Sequence, residues 1–179
     1  GIINKNFSRL NDNIYSDLDV FSIDLQNNEI EFLSNFSFSN IINLGELNLN
    51  KNRIKNINYI IWSITLSNIN TISSLFLQNN EIEEINEDFT DTFSHLEYFD
   101  LIGNKISKIT NFSFNSLKNL VFLHLDFNRL KNFDFIQFSK LKNLNSLSAE
   151  NNVLNLIKYE SDFELNSIIN LNLKNSNIN

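Results

Sequence analysis

Asparagine returns along this chain at a fixed interval. Asn28, Asn52, Asn80, Asn104, Asn128 and Asn152 stand 24, 28, 24, 24 and 24 residues apart, and the next step of 24 lands on Ser176. The sequence holds 36 Asn among 179 residues, so abundance gives no single Asn a meaning. Six hits at preset positions nevertheless arise by chance with a probability on the order of 10⁻⁴. The apolar positions keep the same phase. Eight, five and three residues ahead of Asn104 come Leu96, Phe99 and Leu101, and ahead of Asn128 come Leu120, Leu123 and Leu125. Two and five residues after these Asn come Ile106 and Ile109, then Leu130 and Phe133. A seventh upstream set, Ile168, Leu171 and Leu173, precedes Ser176.

The L-x-L pair alternates at period two, which predicts a short strand with Leu123 and Leu125 turned inward and His124 outward. One such unit cannot bury its apolar face. Stacked units share a continuous core and align their strands into a parallel sheet, with strands expected near 22–26, 46–50, 74–78, 98–102, 122–126, 146–150 and 170–174. Where the chain leaves each strand it bends inward, and a buried carboxamide can both donate to and accept from backbone groups that would otherwise face a dry interior. Asn28, Asn52, Asn80, Asn104, Asn128 and Asn152 are therefore assigned to a structural ladder, which at Ser176 either decays or approaches an atypical terminal turn. On the other side Phe38, Phe114 and Phe138 follow their Asn by ten residues, with Ile41, Leu117 and Leu141 three further on, the spacing of one helical turn. Phe89 and Phe163 fall one position off this column, which predicts irregular turns there. The 28-residue unit carries an insertion around residues 57–68, INYIIWSITLSN, whose Trp62 is expected to pack into a widened convex side rather than stand out as an anchor.

The consensus LxxLxLxxNxL resembles the leucine-rich-repeat family over roughly residues 18–179. That resemblance implies an α/β repeat fold, a right-handed solenoid with a concave parallel sheet and short helices or irregular turns on the convex side. The 24-residue unit with its recurring Phe looks like the typical subclass of extracellular animal proteins, Toll-like and adhesion receptors among them. It does not look like the plant subclass, which wants Gly and Pro where Lys108 and Thr110 stand. The implied function is a non-enzymatic protein-binding module, the ligand-recognition segment of an extracellular or cell-surface protein. The alternative is an intracellular scaffold or adaptor using the same face. Residues 1–179 read as one solenoid segment of a longer protein, because Gly1 is not an initiator Met and Asn179 follows an L-x-L strand without the convex half of its turn.

Charge and composition remove other classes. A formal net charge of −7 without a basic run opposes a nucleic-acid partner, since phosphate contacts need clustered Lys and Arg. The absence of Cys excludes disulfides and thiolate metal sites within this stretch and leaves the compartment open. The longest apolar run, YIIWSITL at 59–66, is too short to span a bilayer. The acidic stretch EIEEINEDFTD at 81–91 lacks the spacing of a calcium loop and reads as a solvated turn. No cofactor and no metal is expected.

In solenoids of this kind the outward residues of successive strands form columns that meet ligands. Phe76, Tyr98, Ile102 and Phe122 gather on the third to fifth turns with Asp100, His124 and Asp126 beside them. Rigid aromatic groups on a solvent-facing sheet serve as binding anchors, so these seven residues form the predicted ligand-binding site. The outward columns carry Asp24, Glu46, Asp100, Asp126 and Glu150 against Lys174, which points to a protein partner with a basic contact surface. Asp100, His124 and Ser148 share one column in the order of a hydrolase triad. An open sheet with no Gly-rich turn supplies neither an oxyanion hole nor a dry pocket, so a hydrogen-bonded surface row is the expectation. A metal between His124 and its neighbouring Asp residues is set aside on similar grounds, because mixed His and Asp contacts are common on polar surfaces. Asn6, Asn35 and Asn111 lie in N-x-S sequons and could accept glycans in a secreted protein.

Overall fold

The computed structural model describes residues 8–11, 18–86, 89, 91–158 and 167–176. Among these, the L-x-L pairs open seven three-residue strands: Ser22–Asp24, Glu46–Asn48, Ser74–Phe76, Tyr98–Asp100, Phe122–His124, Ser146–Ser148 and Asn170–Asn172. They pair in parallel, each with its neighbour in sequence, as one seven-stranded sheet. The register sets Leu75, Phe99, Leu123 and Leu147 side by side, all with no exposed surface. Ladder bonding runs past the strand ends: Leu101 N–H donates to His124 O and Gly103 N–H to Asp126 O, both at 2.9 Å. The fold is thus a parallel-strand solenoid, its buried apolar interior running from Leu10 to Leu154, while on the last described turn Ile168 and Leu173 are half-buried and Leu171 is exposed.

The asparagine ladder joins turn to turn. Asn104 Oδ1 accepts the Ile82 N–H of the preceding turn at 3.1 Å, and its Nδ2 donates to Leu77 O at 2.9 Å and to Leu101 O at 3.0 Å. Asn52, Asn80, Asn128 and Asn152 repeat the arrangement. All six Asn are buried. Ser176 keeps part of it, its hydroxyl donating to Ala149 O at 3.2 Å.

One position earlier lies a column that the apolar pattern does not announce. Asn27, Lys51, Asn79, Gly103, Phe127, Asn151 and Asn175 all have positive φ, between 53° and 71°. Each marks the left-handed step that turns the chain from strand to interior, and Asn and Gly take it at the lowest steric cost. At Gly103 a Cβ would in addition meet Asn79 Oδ1 at 2.5 Å. Lys51 and Phe127 carry the strain without such relief. Lys51→Asn is expected to raise unfolding stability by about 1 kcal/mol, read as a higher urea midpoint with an unchanged slope.

The convex side is irregular. Short parallel pairs join Arg9–Leu10 to Phe32–Leu33, Glu84–Ile85 to Lys108–Ile109, and Asn132–Asp134 to Leu156–Lys158. The first pair carries the stacking upstream of residue 18, because Leu10 occupies the place of Leu33 one turn earlier. Phe89, Phe114 and Phe138 form a buried stack with centroids 6.3 and 6.0 Å apart, so Phe89 rejoins the Phe spine despite its offset. A 3-10 turn at Asp91–Phe93 follows it.

Ser37 Oγ donates to Leu10 O at 3.1 Å, Ser113 Oγ to Ile85 O at 2.9 Å, and Gln137 Nε2 to Ile109 O at 2.8 Å. All three residues lie nine positions after a ladder Asn and are buried. This is a second, convex ladder, and it gives the Ser of two sequons a structural role. A hollow of about 270 Å³ opens beside Gln137, with Asn111 on its wall.

The insertion folds as the helix Asn58–Leu66. Ile57, Ile60, Ile61 and Ile64, at helical spacing, face the core. Asn68, at φ 56°, ends the helix. Trp62 does not pack inside: it stands 43% exposed, with Leu66 one turn on, because the four Ile residues already fill the inward stripe. No described helix is long and apolar enough to cross a membrane.

Candidate functional site

On the concave face the alternation of the strands sends Phe76, Tyr98 and Phe122 outward. Their rings meet across three successive turns, with centroids 5.3 Å apart from Phe76 to Tyr98 and 5.8 Å from Tyr98 to Phe122. Parallel pairing places Phe76 beside Asp100 and Tyr98 beside Phe122 in adjacent strands, so the step from Phe76 to Tyr98 is diagonal and that from Tyr98 to Phe122 direct, both at tilted angles. Phe122 is 40% exposed; Phe76, Tyr98, Ile102 and His124 are half-buried.

Asp100 and Asp126 sit differently from surface acids. Asp100 has no exposed surface. Its Oδ1 accepts Ile102 N–H at 3.0 Å and its Oδ2 accepts Gln78 Nε2 in a short contact. Asp126 accepts Glu150 N–H at 2.6 Å and a short hydrogen bond from Ser148 Oγ. Both are therefore held carboxylates, and Asp100 sits beside the aromatic run as the register partner of Phe76. Gln78, one strand earlier, donates the bond to Asp100, and nothing in its spacing marks it.

His124 completes the group. Its ring meets Tyr98 edge to face at 5.3 Å, with Tyr98 Oη 3.3 Å from Nδ1. Nδ1 also lies 3.9 Å from Asp100 Oδ2, an ion pair rather than a closed hydrogen bond. The Asp100 carboxylate raises the imidazole pKa above its ordinary value, against partial burial, and the Asp126 charge adds to the rise. Burial first, and the Asp100 charge second, push the Tyr98 hydroxyl up. A raised folded-state pKa means that imidazolium stabilises the fold. That contribution is fully present below the unfolded value near 6.5 and disappears as pH climbs through the folded value. Thermal stability is accordingly expected to decline as pH rises from near the ordinary imidazole value through the raised His124 pKa, with His124→Gln removing that part of the slope.

Ser148 gives its hydroxyl to Asp126, whereas His124 faces Tyr98 and Asp100. The column Asp100, His124 and Ser148 is thus not wired as a relay. Among the described residues, no group of three His, Asp or Glu side chains gathers to hold a metal. Asn35 and Asn111 are exposed on the convex rim, while Asn6 lies outside the described residues.

Comparison with known proteins agrees with this geometry. A family model described as "Leucine rich repeat" matches residues 70–130. Keratocan from Homo sapiens is 40% identical over 85 residues, 48% of this chain, and keratocan from Gallus gallus is 42% identical over the same length. The chain spans 23% of the length of these relatives. Among solved structures, the TLR13 chain of a complex with ssRNA13 superposes with a TM-score of 0.80 at 29% identity, over 94% of this chain and 24% of that one. An LRR protein of Leptospira interrogans superposes at 0.70 with 26% identity, over 86% of this chain and 37% of its own.

Proposed function

The chain is a leucine-rich-repeat protein, and from that premise we propose that it is a non-enzymatic protein-binding module whose concave face receives a partner with a basic contact surface. The carrying observation is the contacting run Phe76, Tyr98 and Phe122, on the same turns as the held carboxylates of Asp100 and Asp126. Rings fixed on strands lose little freedom on binding, and a guanidinium brought over them meets ring faces and nearby negative charge together. Asp24, Glu46 and Glu150 extend that charge along the face, where Lys174 and His124 are the basic residues of the outward columns.

The TLR13 chain, similar in shape, is described in a complex with ssRNA. Five acids on the concave columns oppose a polyanion here, which supports a protein partner. An immobilised oligoarginine peptide tests the choice, with oligoglutamate and oligouridylate as alternatives. The expected result is retention by oligoarginine alone, weakening with salt as exposed charge pairs are screened. Retention by oligouridylate and not by oligoarginine would overturn the reading. Loss of the imidazolium charge makes the face more negative, so affinity for oligoarginine should rise as pH climbs through the His124 pKa.

An extracellular or cell-surface location belongs to the same proposal, supported by the resemblance to the typical subclass and by the exposure of Asn35 and Asn111. Secretion from an animal cell should yield a chain whose mass drops on enzymatic N-glycan removal. An unmodified mass at both sites would favour the intracellular scaffold.

A further inference from the structure

We propose that Phe127 is an additional binding residue of the concave site, an aromatic anchor at its rim for the basic partner; this rests on the reading of that face given above. Its position in the turn favours Asn or Gly, which occupy five of the seven equivalents. Phe127 takes the left-handed conformation at φ 55° and is still 58% exposed. The ring thus occupies a strained backbone site without the burial that would offset it. Among the described residues no aromatic ring meets it, and more than half of it faces solvent. Strain of this kind persists where the surroundings hold it in place, and it concentrates at ligand clamps.

The surroundings of Phe127 leave its ring open. Its N–H donates to Glu150 O at 2.8 Å, which fixes it to the next turn. On the preceding turn the equivalent residue is Gly103, without a side chain, and on the following turn Asn151 directs its amide to Glu150 Oε1 at 3.1 Å. Phe127 directly follows Asp126 and shares its turn with Phe122 and His124. A cation over this ring would meet a face that carries Asp126 on the same turn and Glu150 on the next.

Phe127→Asn and Lys51→Asn separate anchoring from strain. Both relieve a left-handed residue, and only the first removes a ring beside the site. Both variants are expected to melt at higher temperature than the parent, whereas only Phe127→Asn should weaken binding to the oligoarginine peptide, by roughly 5-fold. A Phe127→Asn chain that binds like the parent, or that melts below it, overturns the proposal. The face itself still stands in that case if the Tyr98→Ala, Phe122→Ala double variant loses the peptide. If neither Phe127→Asn nor the double variant changes affinity, or the parent chain does not hold oligoarginine, the reading of the face falls and this proposal falls with it.

Discussion

Asn104→Ala is expected to lower the unfolding free energy by about 3 kcal/mol. The carboxamide bonds Ile82 N–H, Leu77 O and Leu101 O, and methyl substitution leaves all three without that partner beside a dry core. Each loss costs about 1 kcal/mol net, more where water cannot enter. Leu77 O keeps a bond from Asn80 Nδ2 and Leu101 O one from Asn128 Nδ2, so the group left with no partner at all is the buried Ile82 N–H. A solenoid is also held together by contacts between adjacent turns only, so weakening one junction lowers the coupling between the two halves. Urea unfolding should show a lower midpoint. Should the halves part before the whole unfolds, the slope would fall as well. Ser176→Ala, which removes a hydroxyl bonded to Ala149 O and Lys174 O, should cost less.

The Tyr98→Ala, Phe122→Ala double variant is expected to lose oligoarginine binding while its far-ultraviolet circular dichroism stays unchanged. Both rings face outward, and the inward residues of the same strands, Phe99 and Leu123, remain fully buried in either case. The fold is thus spared. Tyr98 touches Phe76, Phe122 and His124 at once, so its removal breaks the aromatic run at its centre. Central aromatic anchors commonly contribute about 2 kcal/mol or more each to binding, enough together for a loss of several hundredfold. Unaltered affinity in this variant would remove the concave aromatic run from the account.

The period of the Asn and Leu columns was enough to read the solenoid, because each column answers one physical need repeated in every turn. The contact of Phe76 with Tyr98 and of Tyr98 with Phe122 was legible in the same way: period-two alternation and parallel register bring outward residues of neighbouring strands together. Burial of Asp100 and Asp126 was not. It depends on Gln78 and Ser148 reaching across from adjacent turns, and side-chain reach leaves no trace in spacing. The left-handed column ahead of the ladder was hidden by the abundance of Asn itself, since Asn27, Asn79 and Asn151 look like more of a common residue. Ser37 and Ser113 looked like parts of sequons, and their carbonyl partners lie 27 and 28 residues away. Trp62 was misplaced because insertion residues follow no repeat phase, and four Ile residues took the inward stripe.

Hydroxyl-radical footprinting of the chain with and without oligoarginine reads side-chain access on both faces in one measurement. A concave site predicts that bound peptide protects Tyr98 and Phe122 while Trp62 and Phe112, exposed at 43% and 69%, react as before. Protection of Trp62 or Phe112 with Tyr98 and Phe122 unchanged would contradict it.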